Sequence, residues 1–389
     1  MAIPLSYNIR NLAVRRTTTV MTALGIGLTV AVLVSVLSLV EGLNTAFRSS
    51  GHPRHVLVMR KGGGSELTSI IQRSQFLEAI KFKPMVERDA AGEPLASPEL
   101  VQTVNLPSKE APDGMNLTIR GLMPVGRAMR EETRLAAGRW FAEGRREAVV
   151  GASVAARYPG AQIGQKIRFG RGDWEVVGVF QSEYPARNSE IWVDANQMAA
   201  DFGRFQAFSS VLVRTRDEVG AQALINELEA DQRLQIEALS ERAYFEKQTS
   251  SGDVIKYLGT FVAIIMAVGS SFAAMNTMYA AVARRAREIG TLRVLGFSRR
   301  SILLSFFLES LFLSLLGGAA GLLLALPLNG LSTGVGSFVT FTEVAFELRM
   351  TPGVAAAGLS FALLIGALGG LFPASNAARK QILTALRQI

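Results

Sequence analysis

The sequence predicts an integral membrane α-helical protein of four transmembrane helices, with a large extracytoplasmic α+β domain inserted between helices 1 and 2. Three observations predict it. Of 389 residues, 49% are hydrophobic and 19% charged, too apolar for a disordered chain and rich for a wholly soluble one. The apolar residues gather in long uncharged runs. The basic excess, a net charge of +9, gathers beside those runs. Cysteine is absent, which excludes disulfides, thiolate metal sites and cysteine catalysis without setting the compartment.

Leu5, Ile9, Leu12 and Ala13 alternate with Asn8, Arg10 and Arg15, which predicts an interfacial helix over residues 1–16. Residues 17–40 carry no charge. At ~1.5 Å per helical residue they reach ~36 Å, enough for a ~30 Å hydrocarbon core. The run is too long for a signal-peptide core and no small-x-small site closes it, so an uncleaved first span is expected.

Residues 41–256 predict the α+β domain, flanked by helical stalks. Val56–Met59, Leu117–Leu122, Ala148–Val150, Ile191–Val193 and Ser210–Val213 have strand composition. Lys166–Phe169 and Trp174–Phe180, joined through a Gly-Arg-Gly-Asp turn, predict a hairpin. Asp217 is placed to cap a helix ending near Ala230. Residues 81–99 are expected to form a loop or insertion, and the helical, polar pattern from Leu239 to Lys256 a stalk with Gly252 as its weak point. No catalytic constellation stands out. His52 and His55 are the only histidines and are expected in a solvated loop. The scattered carboxylates are expected at the surface, and neither a Gly-x-Ser-x-Gly nor a zinc-protease pattern occurs.

Residues 257–283 predict the second span and 301–327 the third, in which Glu309 is the single charge. A Gly/Ser/Thr-rich external loop, 328–352, leads to a fourth span over 353–372 and a tail over 373–389. Orientation follows from the basic residues. Arg10, Arg15 and Arg16 precede the first span. Arg284, Arg285, Arg287, Arg293, Arg299 and Arg300 stand between the second and third, against Glu288 alone. Arg379, Lys380 and Arg387 follow the fourth. All three segments are assigned to the cytoplasm, with both termini there and residues 41–256 outside. The charge is thereby explained by membrane insertion, and nucleic-acid binding loses its support.

Between the middle spans, residues 284–300 predict a short amphipathic helix. Ile289, Leu292 and Leu295 or Gly296 share a face, with Arg284, Arg287, Glu288 and Arg293 around it. Gly296 is placed to end it and Ser298 to cap the third span. Such a helix can lie at the lipid interface or dock into a groove on a soluble protein; composition alone favours the interface. Within the spans the polar residues are few: Asn276 in the second and Glu309 in the third. An intramembrane carboxylate invites a functional reading, but a protonated Glu309 bonding a neighbouring helix is the plainer expectation. Gly317-x-x-x-Gly321 and Gly366-x-x-x-Gly370 permit close helix packing. So few polar groups do not line a hydrophilic channel. No Gly-Lys dipeptide occurs, so the chain carries no phosphate-binding P-loop, and energy from ATP has to come from a partner.

At these residues the sequence resembles the MacB/FtsX-type permease family, the membrane subunits of type VII ABC transporters. The likeness rests on Arg284-x-x-Arg287-Glu288-Ile289-Gly290-x-Leu292-Arg293-x-Leu295-Gly296-x-Ser298-Arg299-Arg300, preceded by Asn276. It extends to Pro4-Leu5, Glu309 with Gly317-Gly318-x-x-Gly321, and Pro373-Ala374 to Ala385-Leu386-Arg387. Gly138-Arg139-Trp140-Phe141, Val149-Val150-Gly151 and Val176–Phe180 resemble the family's periplasmic core. Gln381-Ile382 depart from the Asp-Pro usual there. DevC-like and MacB-like branches both fit.

The resemblance implies an inner-membrane, multi-pass subunit that is not itself an enzyme. It implies pairing with a second copy or a paralogue, and a P-loop ABC ATPase that binds ATP and Mg beneath each subunit. It implies no cofactor or metal in this chain. Residues 284–296 would be the helix seated in the ATPase groove, reversing the preference that composition gives. Family members with such an external domain are mostly export or lipoprotein-extraction machines working by mechanotransmission, often with a periplasmic adaptor, on a lipid, lipoprotein, peptide or drug. The alternative is a transducer that activates an extracytoplasmic partner such as a cell-wall hydrolase, as division-associated members do. On these readings Arg293→Glu uncouples the machine and Glu309→Gln is nearly silent.

Overall fold

The computed structural model describes residue 14 and residues 16–108, 111–248, 250–336 and 342–379. The helix expected on Leu5, Ile9, Leu12 and Ala13 lies outside the described residues, as does the tail with Lys380, Gln381, Ile382, Ala385, Leu386 and Arg387. Two compact units result, one holding four long helices and the other the mixed α+β domain.

Along the chain, α1 (Arg16–Arg48) takes the first apolar run, because a backbone in lipid must satisfy its own hydrogen bonds. β1 (His55–Arg60) follows, then β2 (Ile71–Gln72), α2 (Arg73–Gln75), β3 (Ala96–Leu106), β4 (Met115–Leu122) and α3 (Pro124–Ala128). Next come β5 (Thr133–Gly138), β6 (Glu147–Gly151), α4 (Ala152–Arg157), β7 (Lys166–Phe169), β8 (Gly172–Ser182) and β9 (Glu190–Asp194). α5 (Ala195–Phe202), β10 (Ala207–Phe208), β11 (Ser210–Arg214), α6 (Glu218–Ala230), β12 (Ile236–Ser240) and α7 (Glu241–Gln248) complete this stretch. α8 (Ser250–Arg284), α9 (Ala286–Val294), α10 (Arg299–Ala325), β13 (Ser332–Gly336), β14 (Glu343–Glu347) and α11 (Pro352–Arg379) end it. Among the described residues, α1, α8, α10 and α11 are the helices long and apolar enough to cross a membrane.

The α+β unit is built on one ten-stranded sheet, in the order β12-β1-β11-β3-β4-β9-β6-β8-β5 with β7 paired to β8. β4–β9 and β6–β8 are parallel. Alternation sorts the side chains. Val56 and Val58 pack with Leu224 and Leu228 of α6, while Leu57 and Met59 pack with Tyr244 on the opposite face. Asp217 caps α6 by accepting from the Gly220 amide at 2.6 Å. β7 and β8 form the expected hairpin, Phe169 opposite Gly172.

Five expectations for this unit are corrected. Where composition predicts a loop up to residue 99, β3 already begins at Ala96; its start is buried on both faces, so it shows no alternation, and it contains Pro98 and Glu99. Residues 236–240 pair with β1 as β12, so the helical pattern begins at Glu241 rather than Leu239. β13 and most of β14, expected within a separate loop, belong to this unit, with the Ala345 amide donating to Ser189 Oγ at 2.8 Å. The carboxylates are not all solvated. Arg120 donates to Glu66, Glu99 and Glu190 at 2.8, 2.9 and 2.8 Å. Arg130 also holds Glu99, at 2.7 Å. Arg187 pairs with Glu241, and His55 Nδ1 lies 2.9 Å from the other oxygen of Glu241. All of these side chains are buried. His55 is thus a core residue of β1 rather than a solvated one.

In the helical unit, small residues set the spacing. A Cβ on Gly317 would fall 2.8 Å from the Ala23 carbonyl, and one on Gly321 2.8 Å from Val30 Cβ, so α10 lies directly on α1. Gly366 and Gly370 of α11 face Ser314 and Ser310 of α10. Thr29 and Ser270 join α1 to α8 through a 2.6 Å hydrogen bond. The fourth long helix does not stop at 372 but continues through Pro373 to Arg379.

Candidate functional site

The segment joining α8 to α10 is short, so its ends are fixed by the helices it connects. α8 stops at Arg284 because Arg285 leaves helical geometry, at φ −101° and ψ 13°. α9 then starts in a new direction. Its far end is closed by two backbone bonds: Phe297 N–H to the Leu292 carbonyl at 3.1 Å and Gly296 N–H to that of Arg293 at 3.2 Å. This pairing requires a left-handed residue between helix and exit, and Gly296 supplies it at φ +91°. Ser298 then caps α10, accepting from the Ser301 amide at 3.2 Å.

One face of α9 is keyed into the helical unit. Ile289 packs with Met278 and Val282 of α8, Ile302 and Phe306 of α10, and Ala374 and Ala377 of α11. Ala286 and Gly290 are buried beside it. At the α8–α9 junction, Arg285 Nη1 donates to Glu309 Oε2 at 2.8 Å, and the guanidinium lies 5.7 Å from the Phe306 ring centroid. Both side chains are buried. Isolating either charge by removing the other costs about 3–5 kcal/mol, so the pair ties the start of α9 to the body of α10.

The other face is open. Arg284, Arg287 and Glu288 are exposed, and Val294 and Leu295 are 63% and 64% exposed. Charged groups flanking two bare apolar side chains suit a shallow groove on another protein.

The sequence-predicted residues divide accordingly. Ile289, Gly290 and, half-buried, Leu292 lie on the inner side. Leu295, expected on that side, points away, because the chain has already turned toward Gly296. Arg293 does not face outward as a simple docking charge: its Nη1 donates to the Phe297 carbonyl at 3.2 Å, inside its own helix end. Glu309 is bonded to Arg285, at the α8–α9 junction, rather than to a polar group of a neighbouring span. Asn276 is exposed on α8 and is not brought to Glu309. Gly317, Gly321, Gly366 and Gly370 lie in the helix contacts described above. The residue that sequence reasoning missed is Arg285, counted only among the orienting charges. The 24-residue separation of Arg285 and Glu309 carries no periodic signal; only the fold of α9 back on α10 makes them neighbours.

Comparison with known proteins agrees with both units. Residues 19–231 match the MacB-like periplasmic core domain and residues 260–382 the FtsX-like permease C-terminal domain. The macrolide export ATP-binding/permease protein MacB of Pasteurella multocida is 26% identical over 95% of this chain and 58% of its own length. The pyoverdine export ATP-binding/permease protein PvdT of Pseudomonas syringae pv. tomato is 30% identical over 65% of this chain and 40% of its own. The ABC transporter permease YknZ of Bacillus subtilis is 28% identical over 55% of this chain and 54% of its own. The chain therefore spans little more than half the length of the MacB protein that it matches almost throughout. Its two matched domains, in this order around four long apolar helices, make the chain a member of the MacB/FtsX-type ABC transporter permease family, multi-pass proteins of the inner membrane.

Proposed function

We propose that this chain transmits the nucleotide cycle of a P-loop ATPase outside these residues to its own external domain, for export or extraction of a lipid, lipoprotein, peptide or drug. The observation that carries the proposal is α9. It is locked on one side into α8, α10 and α11, and bare on the other at Val294 and Leu295. Force applied to the bare face passes through Ile289 and the Arg285–Glu309 pair into the spans. α1 continues past its uncharged run to Arg48 and α8 begins at Ser250, so rigid helix is available on the external side of the spans. In this reading the termini and α9 are cytoplasmic. The exposed apolar face of α8, with Phe261, Ile265, Val268 and Phe272 beside Asn276, receives a second permease copy. Relatives named for macrolide and pyoverdine export support the export class.

The test is coupling to the ATPase that copurifies with the chain. Leu295→Asp should abolish its binding without unfolding the permease, since the Leu295 side chain is 64% exposed. Glu309→Arg should keep ATPase binding but lose stimulation, and Arg285→Glu with Glu309→Arg should restore it. ATPase binding and stimulation unaffected by Val294→Asp and Leu295→Asp together would refute the role of α9.

A further inference from the structure

The α+β unit contains a cavity of about 710 Å³ that the coupling role does not use. It lies among α2, the turn that follows it, the segment 89–96, α3 and β10. Its apolar lining includes Leu77, Pro94, Leu95, Met123, Val125 and Phe208. The size is that of a small-molecule site rather than a packing defect. A second cavity, of about 190 Å³, adjoins it across Met123, Pro124 and Arg127.

The cavity is preformed. The wall over residues 87–95 was expected only as a loop, but it is closed by backbone bonds. Asp89 N–H donates to the Glu93 carbonyl at 2.9 Å and Leu95 N–H to that of Glu87 at 2.8 Å. The carboxylates that line the cavity are occupied. Asp89 Oδ1 accepts from the Ala91 and Glu93 amides, each at 2.9 Å, and Glu93 lies 3.8 Å from Lys81 Nζ. The two guanidiniums are not. Neither Arg73 nor Arg127 has a carboxylate partner among the described residues. Arg127 is held instead with its guanidinium 5.5 Å from the Trp140 ring centroid, at the join between the two cavities.

A preformed cavity with apolar side chains in its lining, two guanidiniums without a carboxylate partner at its border and carboxylates already engaged complements an anion with an aliphatic tail. We propose that it binds an amphipathic carboxylate: an aliphatic tail among Leu77, Leu95, Met123, Val125 and Phe208, with its head on Arg73 or Arg127. Guanidinium and carboxylate match in bidentate geometry, and the tail removes apolar surface from water. The inference concerns ligand binding alone and does not rest on the export reading.

The test uses the full chain in lipid nanodiscs with hexadecanoate bearing a photoreactive diazirine on its tail, and crosslinked peptides mapped by mass spectrometry. Peptides covering 73–77 and 123–127 should be labelled, and unlabelled hexadecanoate should compete while hexadecanol, which has no charge, should not. Arg73→Gln with Arg127→Gln should lower that labelling at least about tenfold, the loss of one charge-assisted hydrogen bond. Labelling of α8 and α11, which reports partition into lipid, should be unchanged. Label confined to the long helices, or equal competition by hexadecanol, overturns the proposal. The competition on the unsubstituted chain decides it even where the double variant folds poorly.

Discussion

Arg120 meets three carboxylates, and its burial explains why no substitution there is mild. Burial alone would raise the pKa of Glu190, but the charge and hydrogen bonds of Arg120 outweigh it and bring the group down to about 2. Glu99 is lowered in the same way, with Arg130 as the larger counter-charge. Arg120→Met keeps most of the volume and leaves Glu66, Glu99 and Glu190 facing an alkyl chain. It should destabilise the α+β unit by about 3–5 kcal/mol, read as a fall in the urea midpoint of tryptophan fluorescence. An unchanged midpoint would mean that water reaches the cluster. Glu309 follows the same logic. A silent Glu309→Gln is the sequence-based expectation for a protonated acid. With Arg285 bonded to it, the substitution leaves a buried guanidinium without its counter-charge, and loss of ATPase stimulation is expected.

At the scale of elements, the contacts between long helices depend on missing side chains more than on present ones. Apolar surface alone gives helices in lipid no reason to associate, so close backbone approach must do it. Gly321→Val would force Cβ and both methyls against the Gly27 carbonyl and Val30. The expected cost is about 1–3 kcal/mol, measured by dodecyl sulfate titration with helical circular dichroism. Gly269→Val is the control. A Cβ there meets nothing within 4 Å, and the midpoint should not move. α9 is an element of the opposite kind. It is only nine residues long, too short to be stable alone, and is held by its Gly296 exit, Ile289 and Arg285.

At the scale of the whole molecule, the two units can be followed separately. All three tryptophans, Trp140, Trp174 and Trp192, lie in the α+β unit, so their fluorescence reports its unfolding in the intact chain. His55 is lowered to about 3 by burial, with the Arg187 and Arg130 charges adding to it. The Glu132 carboxylate opposes this without reversing it. His52 is lowered to about 4 by partial burial and by His55. A histidine depressed in the folded state is neutral there while its unfolded counterpart takes up a proton below about 6.5. Stability is therefore full above that pH and is lost as pH falls toward 3–4, with a slope of about 1 kcal/mol per pH unit from His55. His55→Gln should flatten the slope between pH 6.5 and 4.5. An equal slope in the variant would move the effect to other groups.

Runs without charge were legible in the sequence because they obey a local rule: a lipid-buried helix must be apolar over its length. β4 was legible from its period-two alternation, and β1, buried on both faces, from its unbroken run of Val, Leu and Met. β3 was not, since a strand buried on both faces loses its alternation, and the ion pairs that admit Glu99 to the core come from distant segments. Nor could the sequence choose the partner of Glu309, the direction in which Leu295 points or the cavity beside Arg73 and Arg127. Those were settled by how segments far apart in the chain approach one another, and a sequence read residue by residue holds no distance between them.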